Sequence, residues 1–473
     1  MKRNIIIWLC LLVFSSCDVL NQDPVSVITE KNAWKTESDV AGELNGAYLL
    51  TRKALLGYNN NYAYWMYGDL RFGDMINPNY TSYFDKIDLT ATHWAITSLT
   101  EWTQYYTAIV QCNLLLEKAP TIAASEYKQQ PIEQYMAEAR FLRGFLYFYI
   151  TRIWGEVPLQ ASALNYNPLP REKADVTLDF AIKDAEYATQ NLPWKYTEDE
   201  SRVRAVKATK GAAYALLSHI YMWKKDYTNA LTASQQIMDN RTKAGYELYP
   251  MTTSHESDEM IKGRTSEGIF EIDLSDEFNE AGTGTVANMM LSMPPYVTSA
   301  DYWASYVDAD TLARLFPETN PDRRRSFWFN LQNEKPMLVK FKNKSTKKNG
   351  AYEDNILVFR LADLYLLRAE ALANSQPAST EAQNLLNEVR GRAGATLYTP
   401  AEGNLRLAII EERRKELIGE GHVWYDMLRN GELLKYKGKT FNQSNLEMGA
   451  WTWPVTKASM ITNPLIRQLP YWI

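Results

Sequence analysis

The sequence predicts a mainly α-helical fold, built from about four tetratricopeptide-like helix pairs that carry one large, irregular, loop-rich insertion. Three observations lead there. The stretch from Tyr135 to Leu159, YMAEARFLRGFLYFYITRIWGEVPL, is apolar or aromatic almost all round the helical period, the mark of a buried helix. Ser218, Tyr221 and Ala230 in LLSHIYMWKKDYTNA match the small, aromatic and small residues at the interhelical contact of such repeats. Helical periodicity then disappears between Tyr246 and Asn355, which marks the insertion, about 246–355.

Met1-Lys2-Arg3, the apolar run Ile5 to Phe14 and the small residues Ser15-Ser16 read as an export signal over residues 1–16, too short for a permanent span. F-S-S-C resembles a bacterial lipobox, with Phe14 where leucine is usual, and makes Cys17 the expected lipidation site. Asp18 to Pro24 is polar and turn-prone, as suits a lipid-anchored tether over residues 17–35, and 36–473 form the body. Cys10 leaves with the signal and Cys17 takes lipid, so Cys112 has no partner and stability must come from packing.

Thr36 to Leu56 reads as an amphipathic helix with Val40, Leu44, Ala47 and Tyr48 on one stripe. Ser98 to Glu101 reads as a capping box for a helix running to Glu117, Ser125 as the cap of the helix that leads through Pro131 into the central stretch, and Asp175 as the cap of the next. Arg140, Arg143 and Arg152 exclude a membrane span for the central stretch, because a cation at mid-bilayer costs about 2.5 kcal/mol or more. Gly155 and Pro158 end it. Leu364, Leu367 and Leu372 mark a later helix, Thr380 to Gln383 caps its partner, and Thr399-Pro400-Ala401-Glu402 opens the last one. Within the insertion, Ile269 to Leu274 has the composition of a short strand, and KFKNKSTKKNG (340–350) reads as a solvated loop.

A net charge of −5 and a pI near 5.7 give no electrostatic basis for nucleic-acid binding. His93, His219, His255 and His422 occur singly, and no H-E-x-x-H, CxxC or G-x-S-x-G motif is present. No acidic pair is favoured by spacing, so the expectation is a non-enzyme with no cofactor and no metal. The 30 Tyr and 14 Trp point elsewhere, to rings with an apolar face and a polar edge.

The chain resembles the SusD/RagB family of outer-membrane nutrient-binding lipoproteins. The likeness is carried by the lipobox at Cys17, EARFLRGFLYFYITRIWGEVPL, PREKADVTLDFAIKDAEYATQNLPW, KATKGAAYALLSHIYM, ILVFRLADLYLLRAEALA, EERRKELIGEGHVWYDMLRNG and NPLIRQLPYW. Val423 stands where the family usually has arginine, and Gln468-Leu469-Pro470-Tyr471 shortens its closing motif. The resemblance implies a SusD-like fold, a lipid anchor at the outer membrane facing outward, and a ligand that is a glycan or, in some members, a peptide. It also implies a SusC-like TonB-dependent transporter as partner. A helical-repeat interaction scaffold is the alternative, but it leaves the aromatic loops unexplained.

Sugar rings stack C–H faces on Trp and Tyr, while Asp, Asn and Arg bond their hydroxyls. Loop 57–98 offers Arg71, Asn79, Tyr83 and Trp94, and loop 280–330 offers Tyr296, Tyr302, Trp303 and Tyr306. From these, Arg71, Tyr83, Trp94, Tyr296, Tyr302 and Trp303 are the candidate ligand-binding residues.

Overall fold

Thr36 opens helix α1 (Glu37–Leu56) with its N–H donated to the Asp39 carboxylate at 2.8 Å, so the first turn is closed from its own sequence. The structure, a computed structural model, describes residues 33–58, 63–197, 200–277, 279–283, 285–297, 304–331 and 335–473. Cys17, the expected signal 1–16 and residues 17–32 of the expected tether lie outside them. After α1 come α2 (Thr103–Lys118), α3 (Ile132–Trp154), α4 (Ala174–Asn191), α5 (Lys210–Trp223) and α6 (Tyr227–Asp239). The irregular region holds α7 (Ser254–Lys262); beyond it lie α8 (Leu361–Ser375), α9 (Thr380–Arg392), α10 (Leu405–Glu416) and α11 (Val423–Arg429).

Helices α1 with α2, α3 with α4, α5 with α6, and α8 with α9 pack as four pairs, and each pair touches the next through α2 on α3, α4 on α5 and α6 on α8. Close approach within α5–α6 rests on small side chains: Ser218 and Ala230 are buried, as expected of repeat contacts. The central helix α3 is buried nearly all round, and Gly155 ends it at φ +72°. Its arginines are accommodated by aromatic faces and one carboxylate. Arg143 donates to Asp184 at 2.7 and 2.8 Å and to Asn113 at 2.7 Å, Arg140 lies 4.4 Å over Tyr187, and Arg152 lies 4.3 Å over Phe148 and 4.6 Å over Tyr425. Cys112 is buried and free, and burial pushes its thiol up to about 12.

Several helix starts differ from the sequence expectation; a competing side-chain cap wins at α9 and α10, whereas α2, α3 and α4 start without one. Ser98 falls inside a short helix, Trp94–Leu99, and α2 begins behind Trp102. Ser125 sits in a 3₁₀ turn, and α3 begins directly after Pro131, whose fixed φ suits the position before a helix. Asp175 lies in the first turn of α4 instead of capping it, and accepts from Lys224 at 2.8 Å. Ser379, one residue before the expected Thr380, caps α9 by accepting the Ala382 N–H at 3.2 Å. Thr399 precedes only a 3₁₀ turn, and Asn404 caps α10 by accepting the Leu407 N–H at 3.1 Å.

The strands are short and pair antiparallel: β1 (Met75–Ile76) with β5 (Tyr306–Val307), β2 (Val157–Pro158) with β3 (Arg171–Glu172), β4 (Gly268–Ile272) with β8 (Ile356–Arg360), and β6 (Phe329–Asn330) with β7 (Met337–Leu338). β4 coincides with the strand expected from Ile269. The basic run is not a solvated loop throughout. Lys340 is 1% exposed and donates to the Glu416 and Ile418 carbonyls and to Glu420, while the Ser345 hydroxyl and the Thr346 and Lys347 N–H groups converge on the Asp276 carboxylate.

Glu271 on β4 is buried; its carboxylate accepts from Asn355 Nδ2 at 2.9 Å and the Arg264 N–H at 2.8 Å, and its Oε1 has no partner. Burial pushes its pKa from the ordinary 4.5 up to about 7. The folded chain therefore holds a proton that the unfolded chain releases, so this contribution to stability is complete below pH 4.5 and is lost as pH rises through 7. Glu271→Gln, which cannot ionise, should gain on the wild type between pH 4.5 and 8 by up to about 3 kcal/mol, with no widening below that window. Urea midpoints at pH 4, 6 and 8 check it; a difference that does not vary with pH refutes it.

Candidate ligand-binding surface

Two segments far apart in sequence are tied into one surface by β1 and β5. Asp74, just before β1, accepts from Arg414 Nε at 2.6 Å, and its carbonyl accepts the Asp308 N–H at 3.2 Å. Asn77, just after β1, donates from Nδ2 to the Ser305 hydroxyl at 2.8 Å and accepts the Asn79 N–H at 2.9 Å. Thr81 Oγ1 accepts the Asn77 N–H at 2.9 Å and starts a short helix, Thr81–Asp85, that carries Tyr83.

His93 and Trp94 enter from the other side. They open the short helix Trp94–Leu99, which is seated in the core by Ile96 and Leu99, both 0% exposed, whereas Trp94 is 56% exposed. The His93 ring stacks on Trp94 with centroids 5.9 Å apart and planes 29° from parallel, and meets Tyr83 tilted, at 5.3 Å and 40°; Tyr80 meets it edge-on at 6.1 Å. Tyr83, His93 and Trp94 thus form a stepped aromatic platform. Within these segments two buried polar atoms, Asn79 Nδ2 and His93 Nδ1, have no hydrogen-bond partner among the described residues. Such a surface suits ligands with apolar faces and a polar perimeter, held by stacking.

Tyr83 and Trp94 are therefore brought together as a pair. Tyr296 lies half-buried elsewhere, its carbonyl accepting from Lys344 at 3.2 Å, and among the described residues it makes no ring contact with the platform. Tyr302 and Trp303 lie outside the described residues. Tyr306 is spent in β5, with the Lys335 ammonium 4.8 Å from its ring centroid.

Arg71 is a correction. It is 4% exposed, lies 4.1 Å over Trp424 and 5.3 Å over Trp453, and donates to the carbonyls of Ala450 and Thr452 at 3.0 and 2.9 Å. Burial lowers its pKa to about 9, and its guanidinium faces protein on every side where a ligand hydroxyl would have to enter. His93 is the residue sequence reasoning missed. Its place directly before an aromatic, in a loop already read as a ring cluster, was the available signal.

Of the remaining histidines, His219 and His422 are buried in the core, while His255 is exposed. His219 Nε2 meets Asp363 Oδ2 at 2.8 Å and its ring stacks on Phe359 at 4.8 Å, which gives it a structural role. Burial lowers His219, and brings His422 down to about 4. Among the described residues no group of three His, Cys, Asp or Glu side chains is placed to hold a metal ion, and no helix is long and apolar enough to cross a membrane.

Removal of Arg71 and of Trp94 should separate a packed residue from a presented one. Arg71→Ala leaves two carbonyls and two indole faces unpaired and should cost about 2–4 kcal/mol, whereas Trp94→Ala should stay within about 1 kcal/mol of the wild type. Urea denaturation of both variants measures this; equal losses would place Trp94 in the core.

Comparison with known proteins gives one consistent result. A family model described as the SusD family matches residues 298–472, and one described as starch-binding and associating with the outer membrane matches residues 30–222. SusD-like protein P38 of Formosa agariphila is 26% identical over 98% of this chain and 98% of its own length. A SusD superfamily protein of Bacteroides thetaiotaomicron, solved by crystallography, superposes with a TM-score of 0.82 at 27% identity, covering 93% of this chain and 99% of that one. A laminarin-binding SusD-like protein has the same fold, with a TM-score of 0.73 at 23% identity over 92% of this chain and 99% of that one.

Proposed function

Because the chain belongs to the SusD family, we propose that it is a cell-surface lipoprotein that binds an oligosaccharide and passes it, uncleaved, to a partner TonB-dependent transporter of the outer membrane. The observation that carries the ligand half of this reading is the Tyr83–His93–Trp94 platform, with Trp94 presented at 56% exposure on a helix whose other face is locked in the core. A stepped group of rings with Trp94 open to solvent favours a ring-shaped ligand over an extended peptide, which would call for a free strand edge or an apolar groove. The outer-membrane half rests on the family, and the attachment point is Cys17.

Rings of this kind contribute about 0.5–1.5 kcal/mol each beyond burial, so binding in the micromolar to millimolar range is expected. Trp94→Ala should weaken oligosaccharide binding by severalfold or more in isothermal calorimetry against a panel of glycans and peptides. Tight peptide binding with no glycan signal, or turnover of any ligand, overturns the reading. For the membrane half, extraction in mild detergent should recover a TonB-dependent barrel at near-equal stoichiometry, and Cys17→Ala should move the protein from the membrane pellet to the soluble fraction.

A further inference from the structure

At the entrance to α4, a second surface has the composition of a sugar site and no part in the platform. A cleft of about 160 Å³ is lined by Tyr106, Pro158, Gln160, Asn167, Leu169 and Asn463. Its size is comparable to the roughly 150 Å³ cavities that accept a six-membered ring. Three of the six lining residues are carboxamides and none carries a charge; Gln160 Nε2, the Asn463 carboxamide and the Tyr106 hydroxyl are engaged within the protein, which leaves the exposed Asn167 as the main polar group beside a ring and two aliphatic surfaces. Charged ligands would find no counter-ion in it.

The loop that forms one wall is fixed from below. The Gln160 carbonyl accepts from Asn113 Nδ2 at 2.8 Å and the Tyr147 hydroxyl at 2.9 Å, Gln160 Nε2 donates to the Asn165 carbonyl at 2.8 Å, and the Ala163 N–H donates to Glu117 at 2.9 Å. The opposite wall is held by Asn463 Nδ2, which donates to the Leu169 carbonyl at 2.8 Å. On this pinned loop, next to Asn167, Tyr166 is 86% exposed. A tyrosine left so open contributes almost nothing to the core, and a rigid base lets it meet a ligand without paying ordering entropy. Asn167 directs its Nδ2 to Asn165 Oδ1 at 3.1 Å, and among the described residues no donor meets its own Oδ1.

We infer that this cleft, together with the exposed Tyr166 that precedes its lining residue Asn167 in the chain, is a second binding site for a neutral oligosaccharide, separate from the Trp94 platform. The inference rests on the proposed glycan specificity for its ligand class but not on the platform itself. The short helix bearing Trp94 leads directly into α2, whose first turns carry Tyr106, and twelve intervening peptide units span at most about 40 Å. One long glycan chain reaching both sites would bind with an effective-concentration gain that a short one lacks.

Tyr166→Ala and Asn167→Ala alter exposed side chains and leave the fold intact, as does Trp94→Ala. Calorimetry and surface plasmon resonance on the full chain, with neutral glucan oligosaccharides of two to twelve units, should show two sites in the wild type. Tyr166→Ala or Asn167→Ala should weaken one of them at least threefold, Trp94→Ala the other, and each should remove most of the gain in affinity with chain length. If Trp94→Ala abolishes all glycan binding and the cleft variants bind as the wild type does, the platform stands and the second site is refuted. If the cleft variants lose binding and Trp94→Ala does not, the cleft stands and the platform reading falls. Absence of glycan binding in the wild type refutes both.

Discussion

The structure depends on a buried charge network that converges on Glu416, at the end of α10. This carboxylate, 0% exposed, takes Arg324 at 2.8 Å and Arg360 at 2.7 Å and pairs also with Arg392, while its backbone carbonyl accepts from Lys340 and Arg360. Burial alone would push such a carboxyl up, but the three guanidinium groups outweigh it and hold Glu416 well below the usual carboxylate range. Around it, Glu420 closes on Arg360 and Lys340, Glu412 on Arg324 and Arg390, and Asp363 and Asp426 on Arg413. Buried pairs of this kind add little net stability, yet removal of one member strands the others at a cost of about 3–5 kcal/mol. The network therefore acts as a specificity device, making any other placement of these segments expensive.

Its reach explains how a region with few regular hydrogen bonds keeps a defined shape. Arg324, Lys340 and Arg360 belong to the irregular region or its last strand, and each is fastened to the α10 segment. On the same helix, Arg414 grips Asp74 just before β1, and β1 pairs with β5. Gly68 lets the same segment come closer still. A Cβ there would lie 2.3 Å from the Gly421 carbonyl oxygen, and the neighbouring Asp69 accepts the Gly419 N–H at 3.0 Å, its pKa pushed by burial up to about 7. The loop that ends in the aromatic platform thus starts from backbone clamped to the α10–α11 corner.

These links set the limits of what the sequence reveals. The central helix was legible because burial on all sides writes itself as an unbroken apolar run, and repeat contacts because small residues recur at fixed spacing. Cap positions were less so, since Ser, Thr, Asp and Asn are common and only backbone geometry decides among Ser379 and Thr380, or Thr399 and Asn404. The helix α7 was missed although Thr253 and Glu256 form a reciprocal cap, because it sits in a region whose glycines and prolines masked its short period. Charge pairs between residues 92 apart, as in Arg324 with Glu416, leave no local pattern at all. For the same reason Arg71 looked like a loop residue, and Trp65, 0% exposed, cannot be told by type from Trp94 in the same stretch.

Rigidity beneath and openness above have a kinetic consequence. With the Trp94 helix locked through Ile96 and Leu99, ligand binding at the proposed platform would order no backbone, and the stacking energy would not be offset by the entropy of forming the site. The same openness leaves a bound ring solvated on its outer face, which caps the attraction at the level of a few ring contacts. A dissociation constant on the order of 0.1 mM, with association near 10⁶ M⁻¹s⁻¹, implies release at roughly 10² per second. A ligand held this way is exchanged in milliseconds, so any neighbouring acceptor that binds it more tightly collects it without the platform having to move. Weak stacking on a stiff support is thus a sufficient mechanism for handing a ligand on.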